Sequence, residues 1–157
     1  MAIQVAPLDP SHGPALRRFC EAVWTRPRSD AYYRWRYGSG DFHRAWVALR
    51  EGEIVAMEAA IARPWRMGDE TVEALEVFDW YARPELRNTG VGVRVMQALM
   101  KEPMPLMLVG GSDDTQTLLP RLGWARLGTS FRFILALGAE RTAEALARRL
   151  RLPGAAA

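Results

Sequence analysis

The sequence predicts a single mixed α/β domain over residues 1–157, its sheet antiparallel early in the chain and parallel late. Three observations predict this class. Runs with strand-like alternation and runs with helical apolar spacing follow one another in the order β-α-α-β-β-β-α-β-α-β-α. Two consecutive hairpins precede a strand-helix-strand crossover, the connection that makes the later strands parallel. The 157 residues are 49% hydrophobic and 25% charged, which suits one globular domain needing neither disulfides nor a metal to fold.

Ile3 to Leu8 alternates and ends in Asp9-Pro10-Ser11-His12-Gly13, a short strand closed by a turn. From Pro14, Leu16, Phe19, Cys20 and Val23 fall at helical spacing. Ser29 is placed to cap a second helix, with Asp30 in its first turn, running through Tyr32, Tyr33, Trp35 and Arg36 to Gly38. Ala45–Leu49 and Ile54–Ala62 form a hairpin about Arg50-Glu51-Gly52-Glu53. A turn at Met67-Gly68-Asp69-Glu70 leads to a long strand, Thr71–Ala82, which Pro84 ends because proline cannot donate to a ladder. A Gly-rich turn then feeds a helix from about Val91 to Lys101, and Pro103 and Pro105 break it. Leu106–Val109 is wholly apolar, the pattern of a buried parallel strand. Asp113 or Asp114 caps a helix ending near Leu122 at Gly123; a strand Phe131–Leu137 and a helix Glu140–Leu152 complete the order. The Ala/Leu stripe of that last helix leaves two readings open, packing on its own domain and contact with a second copy in a homodimer.

Charge and cysteine content narrow the partners. The 21 Lys+Arg against 18 Asp+Glu give +3, which suits an anionic ligand and falls short of a nucleic-acid footprint. Cys20 is the only cysteine, so no internal disulfide forms, and it reads as a core thiol. His12 and His43 lack ligand-spaced partners and read as surface residues, so no metal is expected. The first residues show no basic n-region or apolar h-segment, and no apolar run approaches the ~18–20 residues of a membrane span, so a cytoplasmic setting without membrane contact is expected.

The chemistry concentrates between Asp79 and Met100. A strand enters a turn containing Arg87-x-x-Gly90-x-Gly92, and the turn opens a helix. Such a turn leaves backbone N–H groups unpaired at the positive end of the helix dipole, a site for phosphate or pyrophosphate. A Cβ at Gly90 or Gly92 would hold an anion away, and Arg87 adds a permanent charge. The turn is neither a GxxxxGK[ST] loop nor a full GxGxxG fingerprint.

Ala82-Arg83-Pro84-Glu85-Leu86-Arg87-Asn88-Thr89-Gly90-Val91-Gly92 resembles motif A of the Gcn5-related N-acetyltransferases (GNAT), [QR]-x-x-G-x-[GA] after an apolar-x-Pro step. Arg121-Leu122-Gly123-Trp124 resembles the family's later "k-l-G-F" run, so the likeness extends over roughly Ala45 to Leu137. The resemblance implies a GNAT-like acyl-CoA N-acyltransferase fold with a splayed parallel strand pair and acetyl-CoA between its strands. Trp80, Tyr81 and Ala82 would pair with the pantetheine arm as an added strand. Backbone amides of Arg87, Asn88, Thr89, Gly90, Val91 and Gly92 would hold the pyrophosphate, and Ser112 joins the cofactor-facing set. The implied activity is direct transfer of an acetyl group to the amine of a small molecule or amino sugar.

Transfer needs a base for the ammonium and an acid for the thiolate. Glu76, eleven residues before Arg87, and Asp79, flanked by Phe78 and Trp80, are the candidate bases. On a regular strand they face opposite sides, and both meet the cleft only if a bulge intervenes. Their alternative role is pairing with an arginine such as Arg63 or Arg66. Leu119 stands where the family often has its tyrosine acid, and Ser112 replaces a common asparagine. Ser112, Tyr81 or water remain as acids, and a module that holds CoA or acyl-CoA without turnover is the alternative function. Trp35, Trp46, Trp65, Trp80 and Trp124 are expected in the core, with Tyr32, Tyr33, Trp35 and Tyr37 as an alternative aromatic wall for the acceptor.

Overall fold

The structure is a computed structural model that describes residues 2–24, 27–38 and 43–130. Its packing divides the chain into two compact units, Met1–Asp114 and Thr115–Ala157. The first holds a five-stranded mixed sheet in the order β1-β2-β3-β4-β5. The elements are β1 (Gln4–Pro7), α1 (Gly13–Trp24), α2 (Asp30–Tyr37), β2 (His43–Arg50), β3 (Glu53–Met67), β4 (Glu70–Ala82), α3 (Val91–Leu99), β5 (Leu106–Leu108) and α4 (Asp113–Leu118). The first four strands are antiparallel and β4 runs parallel to β5, as the hairpins and the single crossover dictate.

The sheet buries both faces. Leu16, Phe19 and Cys20 of α1 and Tyr33 and Tyr37 of α2 pack against Val47, Ile54, Met57 and Ala59 on one side. On the other, Val91 and Val95 of α3 pack on Ala48, Val55 and Ala56. On β2 the two sets alternate, Val47 to one face and Ala48 to the other, while on β3 a register shift against β2 puts the neighbours Val55 and Ala56 on the same face. Ser29 caps α2 as expected, its Oγ accepting from the Tyr32 amide at 3.2 Å.

Several boundaries differ from the sequence reading. β3 runs on to Met67, because Arg63–Met67 pair with Glu70–Ala74 in an exposed two-stranded arm that tolerates Pro64. α3 ends at Leu99, its last turn tightening through Lys101 N–H to Ala98 O at 3.2 Å. β5 ends at Leu108. In the second unit the helix from Asp113 becomes a 3-10 turn, Leu119–Leu122, where Pro120 removes a donor, and Gly123 stops it with φ 87°. The expected strand at 131–137 and helix at 140–152 lie outside the described residues.

Two irregularities of β4 position the site. Its register with β5 covers only Leu75, Val77 and Glu76 between them, so β5 supplies no partner for Phe78 to Ala82. Its register with β3 shifts between Met57 and Ala59, so Asp79 and Trp80 together oppose the single residue Glu58. Asp79 takes φ 54° to make this bulge.

Candidate active site

The bulge turns Phe78 and Asp79, neighbours in sequence, toward the same side of the sheet. Phe78 packs with the α1–α2 core, and Asp79 bonds to α2. Arg36 Nε and the Tyr37 hydroxyl each donate to Asp79 Oδ2 at 2.7 Å. Arg36 is itself stacked over the Phe78 ring, 4.5 Å from its centroid. The bond to Asp79 holds the guanidinium firmly charged. Burial, aided by the Asp79 charge, pushes the Tyr37 hydroxyl well up, so it stays protonated and donates.

Glu76 lies on the same face as Phe78 by strand alternation, so the bulge places both candidate carboxylates on the α1–α2 side. Each has an arginine. Arg63 Nε is 3.3 Å from Glu76 Oε2, a pair whose arginine is more than half exposed. Arg66 serves neither and donates instead to Gly68 O at 3.1 Å.

Asp79 lines a cavity of about 210 Å³ formed by residues of α1, α2 and β4. Trp24 and Cys20 line it from α1, and Tyr32, Tyr33, Arg36 and Tyr37 from α2, with Arg28 just ahead of that helix. Burial pushes the Cys20 thiol up to about 12, so it is inert in this wall. Of the four aromatic residues singled out on α2, Tyr32, Tyr33 and Tyr37 line this cavity and Trp35 does not. Trp35 is 67% exposed, outside both the core and the cavity, whereas Trp24 lines the cavity and packs against Tyr81, ring centroids 6.1 Å apart. Tyr32 and Trp35 are in tilted contact, ring centroids 5.8 Å apart.

The anion turn sits past the far end of β4. Pro84–Leu86 form a 3-10 turn, Asn88 takes φ 63°, and Gly90 caps α3 with φ 80°. The amides of Arg87 and Thr89 are spent inside the turn, on Pro84 O at 3.2 Å and Leu86 O at 3.3 Å. Among the described residues, those of Asn88, Gly90, Val91 and Gly92 carry no bond within the protein. A Cβ on Gly90 would meet only open space, so this glycine serves the left-handed backbone and close approach to a ligand. At Gly92 a Cβ would instead come within 3.4 Å of Trp80 Nε1, which donates to Gly92 O at 2.9 Å. Trp80 thus pins α3 to β4 with its side chain. Arg87 Nη2 donates to the Tyr81 hydroxyl at 2.6 Å and lies over that ring.

The Acetyltransferase (GNAT) family matches residues 13–104, which include the cavity, the bulge and the anion turn. The chain belongs to this family. Its fold is shared widely among solved acetyltransferases. Glucosamine-6-phosphate N-acetyltransferase from Arabidopsis thaliana is similar with a TM-score of 0.66 and 16% identity, over 88% of this chain and 100% of that one. AAC(6')-Iy, in complex with the bisubstrate analog CoA-S-monomethyl-acetylneamine, gives 0.71 and 14% over 87% and 99%. A predicted acetyltransferase with acetyl-CoA from Clostridium acetobutylicum gives 0.64 and 14% over 85% and 97%. No curated protein sequence matches the chain significantly. Among the described residues of this acetyltransferase, no helix is long and apolar enough to cross a membrane.

Sequence reasoning missed Arg36 and Tyr37 as partners of Asp79, and Trp24 and Arg28 as cavity walls. Nothing in local spacing joins α2 to β4, more than forty residues apart. It also missed Glu58, fully buried on the α3 face with neither carboxyl oxygen partnered.

Proposed function

We propose that this acetyltransferase moves the acetyl group of acetyl-CoA directly to the amine of a small molecule or amino sugar. The carrying observation is that Asp79 lines the cavity and lies within the β4 segment for which β5 supplies no partner. An extended pantetheine arm along Trp80 to Ala82 would add a strand to that edge and bring its thioester to the cavity mouth. The amides of Asn88, Gly90, Val91 and Gly92, with Arg87 beside them, fit a pyrophosphate. The solved relatives named with CoA or acetyl-CoA and with amino-sugar acceptors support the same reading.

Two carboxylates divide the proton work. Asp79 reaches the cavity, and with Oδ2 occupied by Arg36 and Tyr37 its Oδ1 is left to orient an ammonium. Glu76, the looser of the two ion pairs, takes the proton through water. An N–H of Tyr81 or Ala82 meets the oxyanion. The Tyr81 hydroxyl accepts from Arg87, which leaves its own proton to donate to the thiolate, with Ser112 or water as alternatives. A cytoplasmic setting belongs to the same proposal and rests on the sequence grounds above.

A module that holds CoA without turnover is the second reading, favoured by Leu119, which is buried where the family often carries its acid. Release of free CoA thiol from acetyl-CoA against a panel of small amines decides between them. Amine-dependent release supports the enzyme. Tight acetyl-CoA binding without release from any amine supports the module.

A further inference from the structure

We infer that the acceptor carries an anionic group, a carboxylate or a phosphate, as well as its amine, and that Arg28 and Arg36 receive that group. The inference rests on the cavity being the acceptor site and names the class of acceptor it takes.

Among the described residues, the charged lining of the cavity is two guanidiniums, Arg28 and Arg36, and one carboxylate, Asp79. Among the described residues Asp79 is the carboxylate paired with Arg36, and the hydrogen bond between them runs through Nε. Among the described residues no carboxylate pairs with Arg28, whose guanidinium lies over the Tyr32 ring at 5.1 Å. Both cations are therefore backed by rings, Arg28 by Tyr32 and Arg36 by Phe78 at 4.5 Å. A guanidinium held flat on a ring presents its N–H edge in a set plane, and that edge matches the paired oxygens of a carboxylate or phosphate.

The charge of the lining disfavours another acceptor class. A polycationic acceptor would need acidic walls, whereas among the described residues the lining sets one carboxylate against two guanidiniums. Trp24, Tyr32 and Tyr37 supply faces for a sugar or aromatic ring between the amine and the anion.

The test compares acceptors that differ by one anionic group. Glucosamine is set against glucosamine-6-phosphate, and phenethylamine against phenylalanine, with a multi-ring aminoglycoside as the polycation. CoA release gives kcat/KM for each, and titration calorimetry measures acetyl-CoA and acceptor binding separately. In at least one pair the anionic member is expected to be favoured by about tenfold or more, the worth of a charge-assisted hydrogen bond. Arg28→Gln, at an exposed position that leaves folding intact, is expected to shrink that ratio several-fold through KM. The pair that responds identifies phosphate or carboxylate as the source. A preference for the neutral members or for the aminoglycoside overturns the inference, as does an unchanged ratio in Arg28→Gln. Acetyl-CoA binding and turnover without anionic preference would sink this inference and leave the acetyltransferase reading intact. Binding of the anionic amines, lost in Arg28→Gln, without acetyl-CoA binding would do the reverse.

Discussion

Glu58 lies in the middle of β3, opposite Trp46 on β2 and the Asp79–Trp80 bulge on β4. It is 0% exposed, and among the described residues neither carboxyl oxygen has a hydrogen-bond partner. Burial alone pushes its carboxyl well above the ordinary 4.5. Above about that pH the unfolded chain has lost this proton while the folded chain keeps it, so the folded state binds more protons. Stability from this group is therefore complete below pH 4.5 and is lost as pH rises through the folded value. The slope approaches about 1.4 kcal/mol per pH unit inside that window. Glu58→Gln cannot titrate, so its stability should gain on the wild type by up to that amount for each unit. Glu58→Leu also removes the orphan oxygens and should add about 1–3 kcal/mol at neutral pH. Urea unfolding of the three proteins at pH 5, 6, 7 and 8 measures both effects. A gap between wild type and Glu58→Gln that stays constant across that range would refute the reasoning, because it would mean the carboxyl is solvated or paired.

Three further substitutions test other parts of the account. Phe19 is fully buried with its edge on Trp24 and Tyr81, so Phe19→Ala should cost about 3–5 kcal/mol in urea unfolding and lower acceptor affinity by loosening Trp24. Asp79→Asn leaves Arg36 and Tyr37 without their charged acceptor; a loss of about 1–3 kcal/mol and a fall in CoA release at least tenfold are expected, read by unfolding and by thiol titration. Gly90→Asp places a side chain and a negative charge at the left-handed cap of α3, and calorimetry should show acetyl-CoA binding abolished; retained affinity would remove the anion turn from the account.

The sheet was legible because its signals are local. Arg50 to Glu53 and Met67 to Glu70 are turns by their glycines, and Pro84 closes β4 by lacking a donor. The anion turn was legible for the same reason, since Arg87, Gly90 and Gly92 fall within six consecutive residues. The wall of the cavity was half legible. The density of tyrosines on α2 marks it, but which of Tyr32, Tyr33, Trp35 and Tyr37 faces inward depends on how the helix rotates onto the sheet, and Trp35 turned out. The bulge was foreseen only as a condition for Glu76 and Asp79 to share a face. Its cause is a register shift against β3, a pairing between strands that no single-strand pattern encodes. Glu58 was invisible because its position inside an apolar run, Ile54 to Ala60, reads as one polar interruption with no partner to name.

The central claim is that the end of β4 and the turn before α3 form an acetyl-CoA site, and thermal unfolding with and without acetyl-CoA tests it most directly. Ligand at ~100 times its dissociation constant should stabilise the wild type by about 2.7 kcal/mol, with no gain in Gly90→Asp. An unchanged melting temperature of the wild type at millimolar acetyl-CoA would contradict it.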